Sequence, residues 1–202
     1  MMRTLIILGS DKIAGSAAAK IDKMQEDSKI VVDRSTNFLR VKKLLQSGAL
    51  SPILVCKMAC CEVMRRDKRP STNLQGISSN SELLKVIIEF EPDRLILFRA
   101  GLIISKKILE TSVPVLNIHA ATVPDFGGIG SINKALESNA YDQSACLHVV
   151  TSRIDEGRVL DKENYTLDPS GSYCSNEAIA YKAAETLLIR SLKENYDVKK
   201  DT

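Results

Sequence analysis

Two polar side chains lie at the end of one of the most apolar segments of this sequence. The segment Val115-Leu-Asn-Ile-His119 has the pattern of a buried strand, and Asn117 and His119 are two residues apart in it. Side chains two apart on a strand leave the same face, so an amide and an imidazole are predicted to lie side by side. An amide N–H can stabilise negative charge that develops on an oxygen, and an imidazole can carry a proton near neutral pH. This pair is the leading candidate for catalysis.

An acidic loop farther along the chain could complete this pair. Ala145 to Thr151 has a strand-like pattern, and the loop after it places Asp155 before Glu156 and Gly157. A carboxylate near an imidazole orients the ring and stabilises its cationic form. The sequence therefore predicts that Asn117, His119 and Asp155 converge, although each alone has a structural interpretation as a turn former, a core histidine or a loop cap.

The segments around these residues alternate between strand and helix patterns. Continuous apolar runs predict buried strands at Thr4–Leu8, Lys29–Asp33, Arg94–Phe98 and Val115–His119, with a further strand from Arg158 towards Tyr165. Helical patterns run from Ile13 to Met24, Glu82 to Glu89, Ser105 to Glu110 and Ile129 to Ser138, and a last helix capped by Ser175 or Asn176 runs to about Lys193. This order predicts an α/β fold with a mostly parallel twisted sheet and helices on both faces. Ligands of such sheets bind at the carboxyl ends of the strands, where the Asn/His pair lies.

The order of the motifs resembles the formyltransferase family, which uses 10-formyltetrahydrofolate. Asn-x-His is followed by Pro-x-Phe-x-Gly within Val123-Pro-Asp-Phe-Gly-Gly128, and then by Asp-x-Gly at Asp155. Gly101-Leu-Ile-Ile-Ser-Lys-Lys-Ile-Leu109 is similar to the family's segment before the catalytic strand. The resemblance covers about Pro92 to Leu167. The family includes glycinamide ribonucleotide, methionyl-tRNA and amino-sugar formyltransferases.

The resemblance implies a Rossmann-like catalytic domain in which Asn117, His119 and Asp155 form the catalytic set. The donor 10-formyltetrahydrofolate would bind between two segments: Leu102, Ile103 and Ile104, largely through backbone groups, and the loop of Asp155, Glu156 and Gly157. His148 is a candidate for substrate binding, with a core histidine bonded to the backbone as the alternative. The reaction needs no metal and no covalent nucleophile.

The N-terminal half leaves the amine acceptor open. Gly9 and Ser10 could hold an anion at the start of the first helix, but Asp11 opposes one, and an ordinary strand–helix turn is the favoured interpretation. Asp33 resembles the ribose-binding acid of dinucleotide folds, without the accompanying GxGxxG motif. A nucleotide-linked amino sugar is the first choice of acceptor, and glycinamide ribonucleotide is the alternative. A formyltetrahydrofolate hydrolase and a non-catalytic folate- or nucleotide-binding module are further alternatives.

A basic helical segment at about residues 38–70 is unlike the purine enzymes. Eight basic and two acidic residues lie between Arg40 and Arg69. Phe38 begins one amphipathic helix that ends at Ser47 and Gly48, and Pro52 suits the first turn of another. The segment could bind a nucleotide diphosphate, a partner or an anionic surface, or it could be a solvated helical face.

The composition of the whole sequence indicates the broad class of protein. The 202 residues are 44% hydrophobic, which suits one domain over residues 1–202, and the net charge of +3 does not indicate nucleic-acid binding. The apolar run near the N-terminus is too short for a signal peptide or a membrane span, so we expect a cytoplasmic protein without stable membrane insertion. Five cysteines and no secretory signal predict no disulfide framework, with Cys56, Cys60 and Cys61 as buried small side chains. The chain length suggests catalysis on a small-molecule amine rather than on methionyl-tRNA, and a homodimer is one option for assembly.

Overall fold

A computed structural model describes residues 2–22, 27–35, 38–48 and 50–198. Within these ranges the strands are β1 (Thr4–Leu8), β2 (Ser28–Asp33), β3 (Gly76–Ile77), β4 (Arg94–Phe98), β5 (Val115–His119), β6 (Asp142–Val149) and β7 (Val159–Thr166). The helices are α1 (Lys12–Ile21), α2 (Phe38–Gln46), α3 (Pro52–Met64), α4 (Asn80–Phe90), α5 (Lys106–Leu109), α6 (Ser131–Glu137) and α7 (Tyr173–Lys193). The predicted α/β fold is confirmed.

The strands form one mixed sheet in the order β3-β2-β1-β4-β5-β6-β7. The first five are parallel, and β6 and β7 are added antiparallel. The chain runs outward from β1 to β3 and then returns to place β4 on the other side of β1. The strand order therefore reverses between β1 and β4, and a crevice opens at the carboxyl ends of strands at such a point.

Helices cover both faces of this sheet because its central strands are apolar on both sides. Alternate residues of β1 and β4, such as Ile6 and Phe98, pack with α1, α6 and α7. Their neighbours, such as Leu5 and Leu97, pack with α4 and α5 on the opposite face. Val115 belongs to this second face, and Asn117 and His119 follow it with the period of two that a strand imposes.

The start of the last helix differs from the sequence prediction. The described part of α1 ends at Ile21, and the predicted end at Met24 lies outside the described residues. The predicted caps of the last helix are wrong, because α7 starts earlier and Ser172 accepts the N–H of Ser175 as its N-cap. Asn176 is instead buried and bonds to Asp168, accepting its N–H and donating to its carbonyl. The short strand β3 was not predicted, since two residues carry no periodic pattern.

The cysteine prediction is wrong for four of the five residues. Cys61 and Cys174 form a disulfide across 113 residues of sequence, and Cys56 and Cys60 are exposed. Spacing along one helix shows only which cysteines share a turn, whereas this pairing depends on the packing of α3 against α7. Cys146 is buried, as expected of a packing residue.

Among the described residues, no helix is both long enough and apolar enough to cross a membrane. The cytoplasmic location stays a prediction.

Candidate active site

The site begins at the carboxyl end of β5, where Asn117 and His119 lie on one face of the sheet. The antiparallel register of β6 places His148 directly opposite Asn117. The Nδ2 atom of Asn117 lies 3.1 Å from Nε2 of His148. Two strands that meet from opposite directions therefore bring an amide and two imidazoles together.

The loop after β5 folds back over this cluster and contributes backbone groups. The carbonyl oxygen of Phe126 lies 3.0 Å from Nε2 of His119. The N–H of Gly128 donates to Oδ2 of Asp155 at 2.7 Å. A Cβ atom at Gly127 would lie 3.1 Å from Cβ of Asp155, so this position suits a residue without a side chain. The predicted Phe-Gly-Gly turn thus holds His119 and Asp155 at once.

Asp155 is the centre of the cluster. Its Oδ2 atom lies 3.5 Å from Nδ1 of His119, and its Oδ1 atom lies 3.4 Å from Nε2 of His148 and 3.5 Å from Nδ2 of Asn117. The backbone of Asp155 has a φ of 56°, in the left-handed region that aspartate tolerates better than most residues. The structure therefore brings together the predicted trio of Asn117, His119 and Asp155, with His148 as a fourth member.

Gly157, two residues after Asp155, anchors the acidic loop to β6. A Cβ atom at Gly157 would lie 1.8 Å from the carbonyl oxygen of Val149, so the two backbones pack directly on each other. Gly157, which the family resemblance assigned to folate binding, acts here through this close approach, which holds Asp155 over β5.

The backbone partners fix where the imidazole protons lie. A carbonyl oxygen only accepts, so His119 donates from Nε2 to Phe126, and His148 donates from Nδ1 to Val149 at 3.1 Å. In the neutral ring of His119, Nδ1 is then left with a lone pair beside Asp155. That nitrogen is the one that can take up a proton.

Burial and nearby charges lower the pKa values of both His119 and Asp155. Burial lowers the pKa of His119 below its ordinary value, although the nearby Asp155 carboxylate opposes the shift. Burial would raise the pKa of Asp155, but its contacts with His148, His119 and the Gly128 N–H outweigh this and lower the pKa to about 2. At neutral pH the site therefore holds an ionised Asp155 beside a neutral His119.

An open cleft of about 510 Å³ lies beside the cluster. Its lining combines the turn after β5 with the acidic loop: Pro124, Asp125, Gly127, Gly128, Ile154 and Glu156. Of the loop residues predicted to bind the donor, Glu156 lines this cleft and Asp155 adjoins it.

The other predicted donor-binding segment, Leu102 to Ile104, is held in place by hydrogen bonds between its backbone and two side chains, those of Asp33 and Asn80. Asp33 accepts the N–H groups of Gly101 and Leu102 at 2.6 and 2.7 Å. The carbonyl of Ile103 accepts from the side chain of Asn80. These backbone groups already have partners within the chain, whereas the Ile103 side chain is 62% exposed and Ile104 is buried.

Asp33 has a different role from the one its sequence context suggested. It is only 2% exposed and also accepts the N–H of Ser35. The carboxylate therefore anchors the loop after β4 and is not presented to a ribose. Its position at the end of an apolar strand draws attention to the carboxylate, but the sequence does not show which backbone groups it contacts.

The predicted anion-binding residues Gly9 and Ser10 lie in the turn between β1 and α1, two strands away from β5. Gly9 packs against Arg99, which follows β4, and Asp11 caps α1 by accepting the N–H of Ala14. Arg99 donates to Asp11 from Nε at 2.7 Å and to the hydroxyl of Tyr181 at 2.6 Å. This ion pair was not predicted, although a charged residue directly after an apolar strand is a signal for it.

A family model described as formyl transferase matches residues 25–192, which is most of the chain. This chain belongs to the formyl transferase family. The Asn-x-His, Phe-Gly-Gly and Asp-x-Gly motifs that indicated the family from sequence meet around Asp155.

Curated relatives and solved structures agree with this family. The chain is 28% identical over 115 residues to a methionyl-tRNA formyltransferase of Neisseria meningitidis, covering 56% of this chain and 36% of that protein. The chain thus spans about a third of the length of the curated relatives it matches. A phosphoribosylglycinamide formyltransferase from Anaplasma phagocytophilum shares the fold with a TM-score of 0.68 and 16% identity, covering 95% of this chain and 85% of that one. A Mycobacterium tuberculosis protein, described by inference as a sugar N-formyltransferase, has a TM-score of 0.66 at 12% identity, covering 96% and 67%.

Proposed function

We propose that this protein transfers a formyl group from 10-formyltetrahydrofolate to a primary amine on a small acceptor. The observation that carries the proposal is the position of Asp155, whose carboxylate lies within 3.5 Å of side-chain nitrogens of both His119 and Asn117. The family, the open cleft beside these residues and the position at the carboxyl edge of β5 support it.

The reaction begins when the acceptor nitrogen attacks the formyl carbon of the donor. A C–N bond forms to the acceptor, and the carbonyl oxygen becomes an oxyanion. The bond from carbon to the folate nitrogen then breaks, and that nitrogen gains the proton that the amine loses. Holding both substrates in this geometry supplies much of the rate, since it makes a bimolecular step effectively unimolecular.

His119 suits the transfer of that proton. Its Nε2 atom is engaged with Phe126, so Nδ1 takes the proton from the amine and later gives it to the departing folate nitrogen. Protonation of Nδ1 produces an imidazolium 3.5 Å from the Asp155 carboxylate, which stabilises the positive charge. A lowered pKa keeps His119 in the neutral form that can accept a proton at neutral pH.

Asn117 suits stabilisation of the oxyanion. One of its N–H bonds meets Nε2 of His148, which fixes the plane of the amide. The second points towards Asp155 across 3.5 Å, a distance at the limit of a hydrogen bond. Because this contact is long, the N–H is available to a formyl oxygen placed in the same plane, where such a donor stabilises the transition state as negative charge develops.

The donor would lie between the loop after β4 and the acidic loop. The exposed Ile103 side chain offers an apolar surface for the pterin, while Glu156 lines the cleft on the other side. Asp33 and Asn80 hold the loop after β4 in one conformation, so its shape is set before the donor arrives.

For the acceptor we propose an amino sugar, with a nucleotide-linked one as the first choice. The contacts at the start of α1 disfavour glycinamide ribonucleotide, because two carboxylates already accept the first N–H groups of this helix. Asp11 accepts from Ala14, and Glu62 accepts from Lys12. A phosphate at this position would have to displace these carboxylates, which already pair with Arg99 and Arg69.

The test is single turnover with 10-formyltetrahydrofolate and a panel of amines, following release of tetrahydrofolate. Wild type should release it when a suitable amine is present, and His119→Ala should be slower by at least about a hundredfold. Asp142→Asn, which changes an exposed residue on β6, is the control and should match wild type. Equal rates for His119→Ala and wild type would reject the assignment. Release without any amine would indicate a hydrolase, and binding without release would indicate a non-catalytic module.

A further inference from the structure

The basic segment contains a structure that lies across the carboxyl edge of the sheet. We call residues 52–70, which comprise α3 and the loop after it, the strap. At one end Leu54 packs against the turn of the candidate active site, where a Cβ atom at Gly130 would lie 2.8 Å from its Cδ2 atom. At the other end the carbonyl of Lys68 lies so close to α1 that a Cβ atom at Gly15 would be 1.8 Å away. The strap therefore connects the catalytic turn with the corner formed by β1 and α1.

The strap places a carboxylate in that corner. Both oxygens of Glu62 lie 3.2–3.3 Å from the backbone nitrogen of Lys12, the first residue of α1. The Lys12 side chain reaches back to the strap and donates to the carbonyls of Val63 and Arg65 at 3.2 and 2.7 Å. With Asp11 as the N-cap accepting from Ala14, two of the first three amides of α1 are bonded to carboxylates of the chain itself.

A covalent bond and a buried ion pair hold Glu62 in this position. Its neighbour Cys61 is bonded to Cys174 of α7. Four residues along, Arg65 pairs with Glu177 of α7 at 2.7 Å, with side chains 15% and 3% exposed. Both links join the C-terminal end of α3 and its C-cap residue to α7, so they hold the backbone of Glu62 beside the corner.

We propose that the strap closes the β1–α1 corner to acceptor phosphates, with Glu62 as the blocking residue and the Cys61–Cys174 disulfide as its tether. The inference rests on the proposed function in so far as the corner faces the acceptor. A phosphate there would have to displace Glu62 from the Lys12 N–H and lie beside Asp11. Arg69 pairs with Glu62 and Arg99 pairs with Asp11, so a phosphate would also have to compete with these carboxylates for their arginines. The protein therefore excludes acceptors that would have to place a phosphate in this corner in order to bind.

The tether makes this selection dependent on redox state. A dithiol such as dithiothreitol transfers two electrons to the disulfide, so that Cys61 and Cys174 become thiols and the reductant becomes a cyclic disulfide. The strap then keeps its ion pairs but loses its covalent link. Glu62 is expected to leave the corner more often in the reduced protein.

The direct test follows the backbone amides of Lys12, Ile13 and Ala14 by NMR during titration with inorganic phosphate. In the oxidised wild type we expect no saturable shift of these signals up to about 10 mM phosphate. Glu62→Gln keeps the shape of the side chain and removes its charge, and should bind phosphate at these amides at least about tenfold more tightly. Glu89→Gln, an exposed change on α4, is the matched control and should behave as wild type.

A second measurement tests the tether. Hydrogen exchange of the Lys12 amide should become at least about tenfold faster after reduction and in the double variant Cys61→Ser/Cys174→Ser. Cys56→Ser removes an exposed thiol from the same helix and should leave the rate unchanged.

Saturable phosphate binding at these amides in the oxidised wild type would overturn the proposal, as would a Glu62→Gln protein that binds no better. An unchanged exchange rate of the Lys12 amide in the double variant would show that the disulfide does not hold Glu62 in the corner. Neither readout involves turnover, so these results are independent of whether the protein transfers formyl groups.

Discussion

Asp155 faces His119 across 3.5 Å, from its Oδ2 atom to Nδ1 of the ring, while the same oxygen accepts the N–H of Gly128. The backbone bond keeps the carboxylate in place whichever way the imidazole is protonated. The pair can therefore gain and lose a proton without rearrangement, and this fixed geometry is the basis of the first two predictions.

Replacing Asp155 by asparagine should remove catalysis and leave the fold intact. Asparagine has the same shape, tolerates the left-handed backbone at this position and can still accept from Gly128. It carries no charge to stabilise the imidazolium, so we expect kcat/KM to fall about a hundredfold. Steady-state kinetics measures the loss, and the exposed Asp142→Asn is the control. An active Asp155→Asn protein would show that His119 does not depend on this carboxylate.

The pH profile of kcat/KM should have an acid limb below pH 6.5. His119 must be neutral to accept a proton, and burial lowers its pKa from the ordinary value, so activity is lost only when the pH falls through that lowered pKa. Asp155 opposes the shift, and the residual activity of Asp155→Asn should therefore show a limb at still lower pH. A limb above pH 6.5 in wild type would contradict the assigned role.

The same titration affects stability in a defined direction. The unfolded imidazole binds its proton near pH 6.5, whereas the folded one binds it only at lower pH. The unfolded state therefore holds more protons in this range, and the free energy of unfolding should decrease as the pH falls through it. Urea unfolding of wild type and His119→Ala at several pH values should show a smaller decrease in the variant.

Asp33 should affect donor binding without touching the reacting atoms. Its carboxylate accepts three backbone N–H groups, from Ser35, Gly101 and Leu102. Asp33→Asn removes the charge and turns a donor group towards some of these amides, which should lower the free energy of unfolding by about 1–3 kcal/mol. We expect KM for 10-formyltetrahydrofolate to rise more than kcat falls. A fall in kcat alone would argue against a role in shaping the loop after β4.

Gly157 should tolerate no side chain. An alanine Cβ would meet the carbonyl oxygen of Val149 at 1.8 Å, and Val149 is paired in the sheet with Leu116 of β5. We expect Gly157→Ala to lower the free energy of unfolding by at least about 2 kcal/mol, measured by urea denaturation.

Gly48→Ala is the matched control for Gly157. It has a φ of +72° and open space around it, so its cost should be about 1 kcal/mol, from backbone strain alone. Equal costs at the two positions would show that the acidic loop can shift away from β6.

Several elements could be predicted because their signals lie within a few neighbouring residues. The apolar runs of β1, β4 and β5 identified buried strands, and the polar residues at the end of β5 indicated the candidate site. The order of Asn117, His119 and Asp155 indicated the family. The sequence showed where the Asp155 loop lies along the chain but not how it packs against β5 and β6. Its contacts with Gly128 and with β6 involve backbone groups, which leave no side-chain signal in the sequence.

By itself, then, the sequence determined the strands and helices, the family and the residues available for chemistry, because periodicity and motif spacing are local properties. Only the tertiary structure decided which of these residues meet. The contact of Glu62 with Lys12 spans 50 residues and the bond of Cys61 to Cys174 spans 113. Such contacts arise when whole helices pack on a shared sheet, and burial there sets both the charge of a group and its partner.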